Sequence, residues 1–308
     1  MKTTVGVLMI SMFILLLSAC SLGKQGHQVT VKHDLGTAHM SAHPKRVVVL
    51  EVGFIDALLD LGIKPAGAAD DNKPKQLINQ NVLKKMDGYT SVGTRSQPSL
   101  EKIAALKPDL IIADTSRHKG IYDQLKKIAP TIAFKNADAD YQDTVDASLT
   151  IAKAVGKEGI MEEKLTAQEE KLNKVKRKLD AEGQSILLIE TTNDVMTARE
   201  DQFFTSRLLT LAGYTYAIGT TGGESSGGAT ANKKLTLKQL LQINPDYIVL
   251  MSGKTDKTFE NKPLWKQLSA VKNGHVYHAG RKEWSLRRSV DGADAILDDL
   301  EKNMVPSK

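Results

Sequence analysis

One pattern of fifteen residues occurs twice in the chain and constrains its fold more than any other feature. Residues 99–113 and 236–250 correspond position by position, 137 residues apart. Each copy starts with a hydroxyl residue that can cap a helix, continues with helical apolar spacing, and passes through Pro-Asp into an apolar run typical of a buried strand. A single repeat of this kind is also compatible with the general sequence pattern of α/β proteins. Because the copies lie at the same point of each half, they favour two similar α/β lobes.

Other segments indicate the same fold class. A chain of 308 residues is long enough for two domains. Strands that alternate with helices predict mainly parallel sheets, so we expect an α/β protein. The further predicted elements are strands at 46–50 and 186–189, an extended segment at 63–67, and helices at 54–61 and 206–212.

A long charged helix is predicted between the two halves. No Pro or Gly interrupts residues 160–182, and apolar residues recur every three or four positions from Met161 to Leu179, broken only by Gln168. At about 1.5 Å per residue such a helix spans roughly 35 Å. A coiled-coil dimer is the alternative, but fewer than four heptads is short for one. We therefore expect a rigid helix at 159–183 that connects both lobes.

The first twenty residues form a targeting segment. Lys2 precedes an apolar run at 5–17, which is too short for a membrane span of about 20 residues but typical of a secretory signal. The run ends in Leu-Ser-Ala before Cys20, the only cysteine, and this arrangement resembles the lipobox of bacterial lipoproteins. The alternative is an ordinary signal peptide with a chance cysteine. We predict a signal peptide at 1–19, lipidation at Cys20, a tether at 20–28, and a protein anchored on the extracellular face of the cell membrane.

The composition excludes several classes of protein. Hydrophobic residues make up 41% and charged residues 25%, an ordinary mixture that excludes collagen-like, disordered and multi-span membrane chains. The net charge of +6 is spread along the chain and only 5% of residues are aromatic, whereas nucleic-acid-binding proteins concentrate positive charge on one face. We therefore expect no nucleic-acid partner, although an anionic ligand is compatible with this charge.

Arginines at predicted strand ends carry the main chemical signal. Ligands of parallel α/β sheets bind outside the carboxyl ends of the strands. A guanidinium group is always charged and binds carboxylates through two parallel hydrogen bonds, which lysine cannot do. Each arginine taken alone could be a solvated surface residue, but together they predict a cleft for a polycarboxylate anion. The residues concerned are Arg95, Arg117, Arg199, Arg281, Arg287 and Arg288, the last three around Trp284.

Two other motifs give alternative functions. Ser225 lies in a Gly-x-Ser-x-Gly sequence, as in serine hydrolases, but its glycine-rich surroundings lack the strand and helix that this motif requires. A secreted hydrolase is therefore kept only as an alternative. A zinc-binding protein would use His33, His39 and His43, although Pro44 argues against a helix that would bring the last two together.

Taken together, the motifs resemble the iron-siderophore binding lipoproteins of ABC importers over essentially the whole mature chain. The matching sequences are the lipobox, R-V-V-V-L-E, L-G-I-K-P-A-G, V-G-T-R-S-Q-P-S-L-E-K-I, L-K-P-D-L-I-I-A-D and the segment around Trp284. The resemblance implies the class III periplasmic-binding-protein fold, with two Rossmann-like lobes at 29–158 and 184–308, parallel-rich sheets, and one long connecting helix. It also implies a monomer without enzymatic activity, cofactor or direct metal ligand, whose partners are an ABC permease and its ATPase.

The resemblance also suggests the ligand. Within this family, G-T-R-x-Q-P and S-R-H-K-G-I look most like the members that bind ferric citrate or citrate-based siderophores such as staphyloferrin A. The alternative on the same scaffold is a hydroxamate or citrate–hydroxamate siderophore such as schizokinen. Ferric citrate is therefore the ligand that we expect.

Individual residues take their expected roles from the same resemblance. Arg287 is adjacent to a matching position, and Arg199 stands where relatives have a histidine. The positions that match ligand contacts are Arg95 and Arg117 in the first lobe, and Arg281, Trp284 and Arg288 in the second.

A separate match concerns docking to the permease. Glu101 matches a glutamate that pairs with a permease arginine. Lys238 stands at the counterpart position of the second lobe, where relatives have another glutamate. Docking at two equivalent points is therefore in doubt, and Glu224 on the nearby loop is a possible substitute.

Overall fold

The computed structural model describes residues 28–192, 195–219, 232–252 and 258–305. Cys20 of the lipobox, and Glu224 and Ser225 of the glycine-rich segment, lie outside these ranges. No helix within the described ranges is both long and apolar enough to cross a membrane.

Strands and helices alternate along most of the chain, which confirms the α/β class. Short 3₁₀ or π-helical turns occupy Lys119–Ile121, Trp265–Gln267 and Lys282–Leu286. The strands are β1 Gln28–His33, β2 Gly36–Ser41, β3 Val47–Val49, β4 Gly67–Ala68, β5 Thr90–Ser91, β6 Leu110–Asp114, β7 Thr131–Phe134, β8 Ser185–Thr192, β9 Val195–Arg199, β10 Thr215–Tyr216, β11 Asn232–Leu235, β12 Tyr247–Ser252 and β13 Val276–His278. The helices are α1 Gly53–Asp60, α2 Pro74–Leu77, α3 Gln80–Lys85, α4 Leu100–Ala105, α5 Thr115–His118, α6 Tyr122–Ile128, α7 Tyr141–Ala154, α8 Glu158–Leu179, α9 Phe204–Leu211, α10 Leu237–Ile243, α11 Ser269–Lys272 and α12 Val290–Asn303.

Each lobe is built on one large sheet, and β1 and β2 form a separate antiparallel pair. The first lobe has a five-stranded parallel sheet in the order β5-β4-β3-β6-β7. Its central strands β3 and β6 are buried along their whole length, as continuous runs of Val and Ile predict for a parallel sheet covered on both faces. The second lobe has the order β11-β9-β8-β12-β13, with β10 beside β8 and β9 antiparallel to both of its neighbours.

The repeated sequence pattern performs the same structural task in both lobes. Ser99 caps α4 and Thr236 caps α10, each accepting a hydrogen bond from a backbone N–H of the first turn. The aspartate of each Pro-Asp then binds the start of the neighbouring strand. Asp109 accepts from the backbone N–H groups of residues 45 and 46, and Asp246 accepts from the N–H and hydroxyl of Ser185. The repeat therefore fixes helix, strand and strand neighbour together in each lobe.

The long helix α8 connects the lobes, and Gln168 on its apolar stripe is buried for a structural reason. The stripe residues Met161, Leu172, Val175 and Leu179 are buried as predicted. Gln168 accepts a hydrogen bond from the Tyr141 hydroxyl at 2.7 Å and donates to the Val290 carbonyl at 2.6 Å, so its amide joins α7 of the first lobe to α12 of the second.

The two lobes also touch directly, close to the start of α1. A Cβ atom on Gly53 would meet the Arg288 carbonyl oxygen of the second lobe at 2.7 Å and would overlap the Asn136 side chain. Next to this contact, Arg287 donates to Asp56 of α1 from Nε at 2.7 Å and from Nη2 at 3.1 Å. Ser289 Oγ donates to the same carboxylate at 2.5 Å. The spacing of the lobes is thus set by a backbone contact and a bidentate ion pair.

Candidate functional site

A cavity of about 330 Å³ lies between the two lobes. This volume falls within the range of about 300–1,000 Å³ that is usual for small-molecule sites. Five of the six arginines singled out from the sequence line the cavity, and they come from both lobes. The lining residues are Arg95, Arg117, Ala137, Glu190, Thr192, Val195, Thr197, Arg199, Phe203, Asn232, Arg281, Ser285, Leu286 and Arg288.

The two arginines of the first lobe share a buried carboxylate. Arg95 lies in the loop between β5 and α4, and Arg117 lies on α5 directly after β6. Glu51 accepts a hydrogen bond from Arg95 Nη1 at 3.1 Å and lies 2.9 Å from Arg117 Nε, where the angle suits an ion pair but not a hydrogen bond. Arg95 also donates to Asp71 at 2.8 Å and 3.1 Å. Although burial opposes it, these two carboxylates raise the pKa of Arg95, so its charge is fixed before a ligand binds.

One face of the ribbon β11-β9-β8 forms the wall on the second lobe. Side chains alternate along a strand, so every second residue faces the cavity. Across the strands, Arg199 pairs with Asn232 and Glu190 pairs with Thr197. Glu190 binds both Arg199 and the Nε of the half-exposed Arg281, the latter at 2.5 Å. Burial lowers the pKa of Arg199 against the attraction of Glu190.

Arg288 differs from the other cavity arginines because no carboxylate pairs with it among the described residues. It is 9% exposed, and its Nε has no hydrogen-bond partner. Its guanidinium lies 5.2 Å from the centre of the Phe203 ring, which Arg199 also contacts at 4.7 Å. Burial lowers the pKa of Arg288 to about 10, so the group stays charged at neutral pH. A buried charge without a partner is costly until an anion reaches it.

The charges of the cavity favour an anion. Five guanidinium groups reach it, and three carboxylates (Glu51, Asp71 and Glu190) pair with four of them. Two positive charges are left over at neutral pH. A ligand with several carboxylates matches this excess and the forked geometry of guanidinium.

Two residues singled out from the sequence do not line the cavity. Trp284 is completely buried in the core of the second lobe, where its Nε1 donates to Asp299 at 2.8 Å. Arg287 points to the side opposite Arg288 and is bound by Asp56 and Asp291. The expectation that both contact the ligand is therefore corrected. The physical reason is that the Trp284 indole packs into the core of the second lobe. Arg287 is held by Asp56 at the contact between the lobes, whereas the next residue, Arg288, lines the cavity.

Glu101 and Lys238 occupy equivalent exposed positions in the first turns of α4 and α10. Each helix follows a strand of its own sheet, α4 after β5 and α10 directly after β11. The two lobes therefore carry opposite charges at corresponding surface positions.

The described residues contain no group of three or more His, Cys, Asp and Glu side chains that could hold a metal ion. His33 is buried against Tyr122, whereas His39 lies on the exposed face of β2 and His43 contacts the backbone near the end of α7. The three histidines proposed as zinc ligands are thus separate from one another.

Sequence reasoning missed the acidic and aromatic residues of the site. Glu51 directly follows the predicted strand at 46–50, and Glu190 lies at the end of the predicted strand at 186–189. An acidic residue at the end of a buried strand was therefore an available signal. Phe203 and Asp71 come from loops whose course the sequence pattern does not define.

The chain is similar to periplasmic binding proteins. Residues 47–283 match the family model described as periplasmic binding protein. The lipoprotein YhfQ of Bacillus subtilis, which carries the name of an ABC transporter substrate-binding lipoprotein, is 63% identical with 100% of both chains covered. Two relatives have names that state a ligand. The Fe(3+)-citrate-binding protein YfmC of Bacillus subtilis is 42% identical, covering 89% of this chain and 85% of its own. The Fe(3+) dicitrate-binding periplasmic protein FecB of Escherichia coli is 35% identical, covering 89% of each.

The same similarity extends to solved structures. The crystal structure of SirA from Staphylococcus aureus, in complex with staphyloferrin B, superimposes with a TM-score of 0.76 at 25% identity. The match covers 89% of this chain and 97% of the other. The expected fold of two lobes with parallel-rich sheets and a long helix is therefore confirmed.

Proposed function

Since this chain belongs to the periplasmic binding protein family, as a substrate-binding protein of an ABC importer for ferric siderophore complexes and not an enzyme, we propose that its ligand is a ferric citrate complex. The observation that carries the proposal is the arginine-lined cavity, and above all the buried guanidinium of Arg288, which pairs with no carboxylate of the described residues. Two relatives named for ferric citrate, at 42% and 35% identity, support the same ligand.

The chemistry of the ligand suits the cavity. Citrate holds Fe(III) through carboxylate and alkoxide oxygens and leaves further carboxylate oxygens at the surface of the complex. Guanidinium groups from both lobes can bind those oxygens through charge-assisted hydrogen bonds, whereas the iron itself needs no protein ligand. A neutral ferric hydroxamate has no such negative charge and would leave the excess positive charge of the cavity unpaired.

Location and partners follow from the same proposal. The thioether lipid on Cys20 holds the protein at the outer face of the cell membrane. The loaded protein then docks on an ABC permease, which an ATPase drives. Glu101 on the first lobe supplies the contact to a permease arginine. Lys238 occupies the corresponding position of the second lobe, so the second contact carries a positive charge.

A ligand panel tests the proposal directly. Equilibrium dialysis with labelled iron would compare ferric citrate, ferric schizokinen and a neutral ferric trihydroxamate, with iron-free citrate as competitor. We expect ferric citrate to bind most tightly and iron-free citrate to compete weakly. Tighter binding of the neutral trihydroxamate than of ferric citrate would contradict the proposal. If ferric schizokinen bound most tightly, the ligand would be a citrate–hydroxamate siderophore instead of ferric citrate.

A further inference from the structure

The imidazole of His118 joins the two arginine-bearing segments of the first lobe below the cavity. The residue is completely buried at the end of α5. Its Nδ1 lies 2.9 Å from the backbone nitrogen of Asp114, and its Nε2 lies 2.7 Å from the backbone oxygen of Arg95. The ring therefore spans from the end of β6, which leads into Arg117, to the loop that carries Arg95.

These two contacts determine the protonation of the ring. The Asp114 N–H can only donate, so Nδ1 must accept and cannot carry a proton. The Arg95 carbonyl can only accept, so Nε2 must carry the proton and donate. His118 is thus neutral with its proton on Nε2, and a doubly protonated ring would place an N–H of Nδ1 against the N–H of Asp114.

Asp114 joins a third segment to these two, and the pair of His118 and Asp114 is here called the hub. Its buried carboxylate accepts from the backbone N–H of Arg117 at 2.8 Å, and also from those of Asn136 and Ala137 at 2.9 Å and 3.0 Å. Ala137 lines the cavity, and the Asn136 amide donates to the backbone carbonyl of Arg288 at 3.3 Å. Histidine and aspartate together therefore connect the backbones that place three of the cavity arginines.

We propose that neutral His118 is a positioning residue for ligand binding, which holds the Arg95 loop against the Arg117 segment, and that acid weakens binding by protonating its ring. The inference rests on the proposed function, because the arginines it positions are those that bind the ferric complex. His118 itself lies below the cavity wall and does not line the cavity.

The surroundings of the ring set the direction of its titration. Three charged groups face it: Asp114 from the end of β6, Glu51 from the segment after β3, and Arg117 from α5. Burial outweighs the two carboxylates and lowers the pKa of His118 below its usual 6.5, and Arg117 adds to this effect. The hub is therefore intact at neutral pH and is lost only as the pH falls through this lowered pKa.

Three variants separate the two hydrogen bonds of the ring. His118→Gln keeps a donor near the position of Nε2, His118→Asn keeps an acceptor near the position of Nδ1, and His118→Phe keeps neither. We expect the Phe and Asn variants to bind ferric citrate roughly tenfold more weakly at pH 7.5, the equivalent of one lost hydrogen bond, and the Gln variant to stay within about threefold of the wild type. The ratio of wild-type to Gln-variant affinity should stay constant from pH 7.5 to pH 6.5 and fall at more acidic pH, and taking this ratio cancels the protonation of citrate itself.

A ligand-free measurement separates this inference from the proposed function. Amide hydrogen exchange of residues 93–98 should be faster in the Phe and Asn variants than in the wild type, while exchange in the second lobe stays unchanged. Failure of the wild type to bind ferric citrate, with exchange behaving as expected, would contradict the ligand and leave the hub supported. Unchanged exchange in residues 93–98, or equal affinities of the Phe and Gln variants, would overturn the positioning role of His118.

Discussion

Two consecutive arginines should respond in opposite ways to the same substitution. Arg287 is bound by Asp56 and Asp291 at the contact between lobes, whereas Arg288 faces the cavity without a carboxylate. Methionine preserves most of the length and apolar stem of either side chain and removes only its charge. Arg287→Met should therefore destabilise the protein, and Arg288→Met should lower its affinity for the ligand.

The structure gives a magnitude for each change. Removing one partner of a buried ion pair costs about 3–5 kcal/mol, because the other charge is left without a partner. Asp56 has only 4% of its side chain exposed, but Ser289 still donates to it in the Arg287 variant. We therefore expect a loss of about 2–3 kcal/mol in the free energy of unfolding, somewhat below the range for an isolated pair.

Arg288→Met should have the opposite effect, with little or no loss of stability but a loss of ligand affinity. Without ligand, its removal relieves a buried charge that pairs with no carboxylate in the described part of the chain, so the stability of the ligand-free protein should stay the same or increase. With ligand, one charge-assisted hydrogen bond worth about 1.5–3 kcal/mol is lost, which lowers the affinity roughly tenfold to a hundredfold.

Thermal unfolding and ligand titration of Arg287→Met, Arg288→Met and a control variant test the predicted changes in stability and in affinity together. Arg177→Met serves as the control, because this arginine is exposed on α8, outside the cavity and the ion pairs between lobes. We expect the control to match the wild type in both measurements. The reasoning would be refuted if ligand-free Arg288→Met melted as low as Arg287→Met, or if it kept wild-type affinity for ferric citrate.

Three further predictions concern the anchor, docking and pH. Cys20→Ser should abolish lipid attachment, and recovery of the variant in the membrane fraction as a mature lipoprotein would contradict the lipobox. Glu101→Ala should lower labelled-iron uptake by cells at equal surface abundance and leave ferric citrate affinity unchanged, with Glu163→Ala on the exposed face of α8 as the control; normal uptake by the Glu101 variant would exclude its docking role. Burial, reinforced by Asp291, raises the pKa of Asp60 to about 6, so folding binds a proton that the unfolded chain releases, and stability falls as the pH rises from about 4 to 6. Asp60→Asn should remove this dependence and stabilise the protein by about 2–3 kcal/mol at pH 7.5 but not at pH 4, and an equal effect at both pH values would contradict the raised pKa.

The sequence predicted the frame of the site better than its details. The repeat of helix, Pro-Asp and strand determined both lobes because each of its residues has a local task, such as a cap at Ser99 or Thr236. The strand-end rule found the arginines of the cavity because the carboxyl ends of parallel strands lie together. Local patterns of this kind need no knowledge of distant contacts.

Side-chain direction and charge pairing were not predictable in the same way. Arg287 and Arg288 are chemically identical neighbours, and only the packing of α1 against the segment before α12 decides which one is bound by Asp56. Trp284 matched a family position but is buried in the core of the second lobe, where its indole packs beside α12. The role of Glu51 depends on two arginines that are 44 and 66 positions away in the chain.

The close approach at Gly53 has a consequence for how receptors of this kind can diverge. An added methyl group would meet the side-chain amide of Asn136 and the backbone carbonyl of Arg288, so it would force one or both of them to move. Gly53→Ala would therefore push on the segment that carries Arg288 and change the spacing of the lobes, although it changes none of the residues that line the cavity. The dimensions of the cavity can therefore change through a residue that does not line it, while the number of its charged groups stays the same.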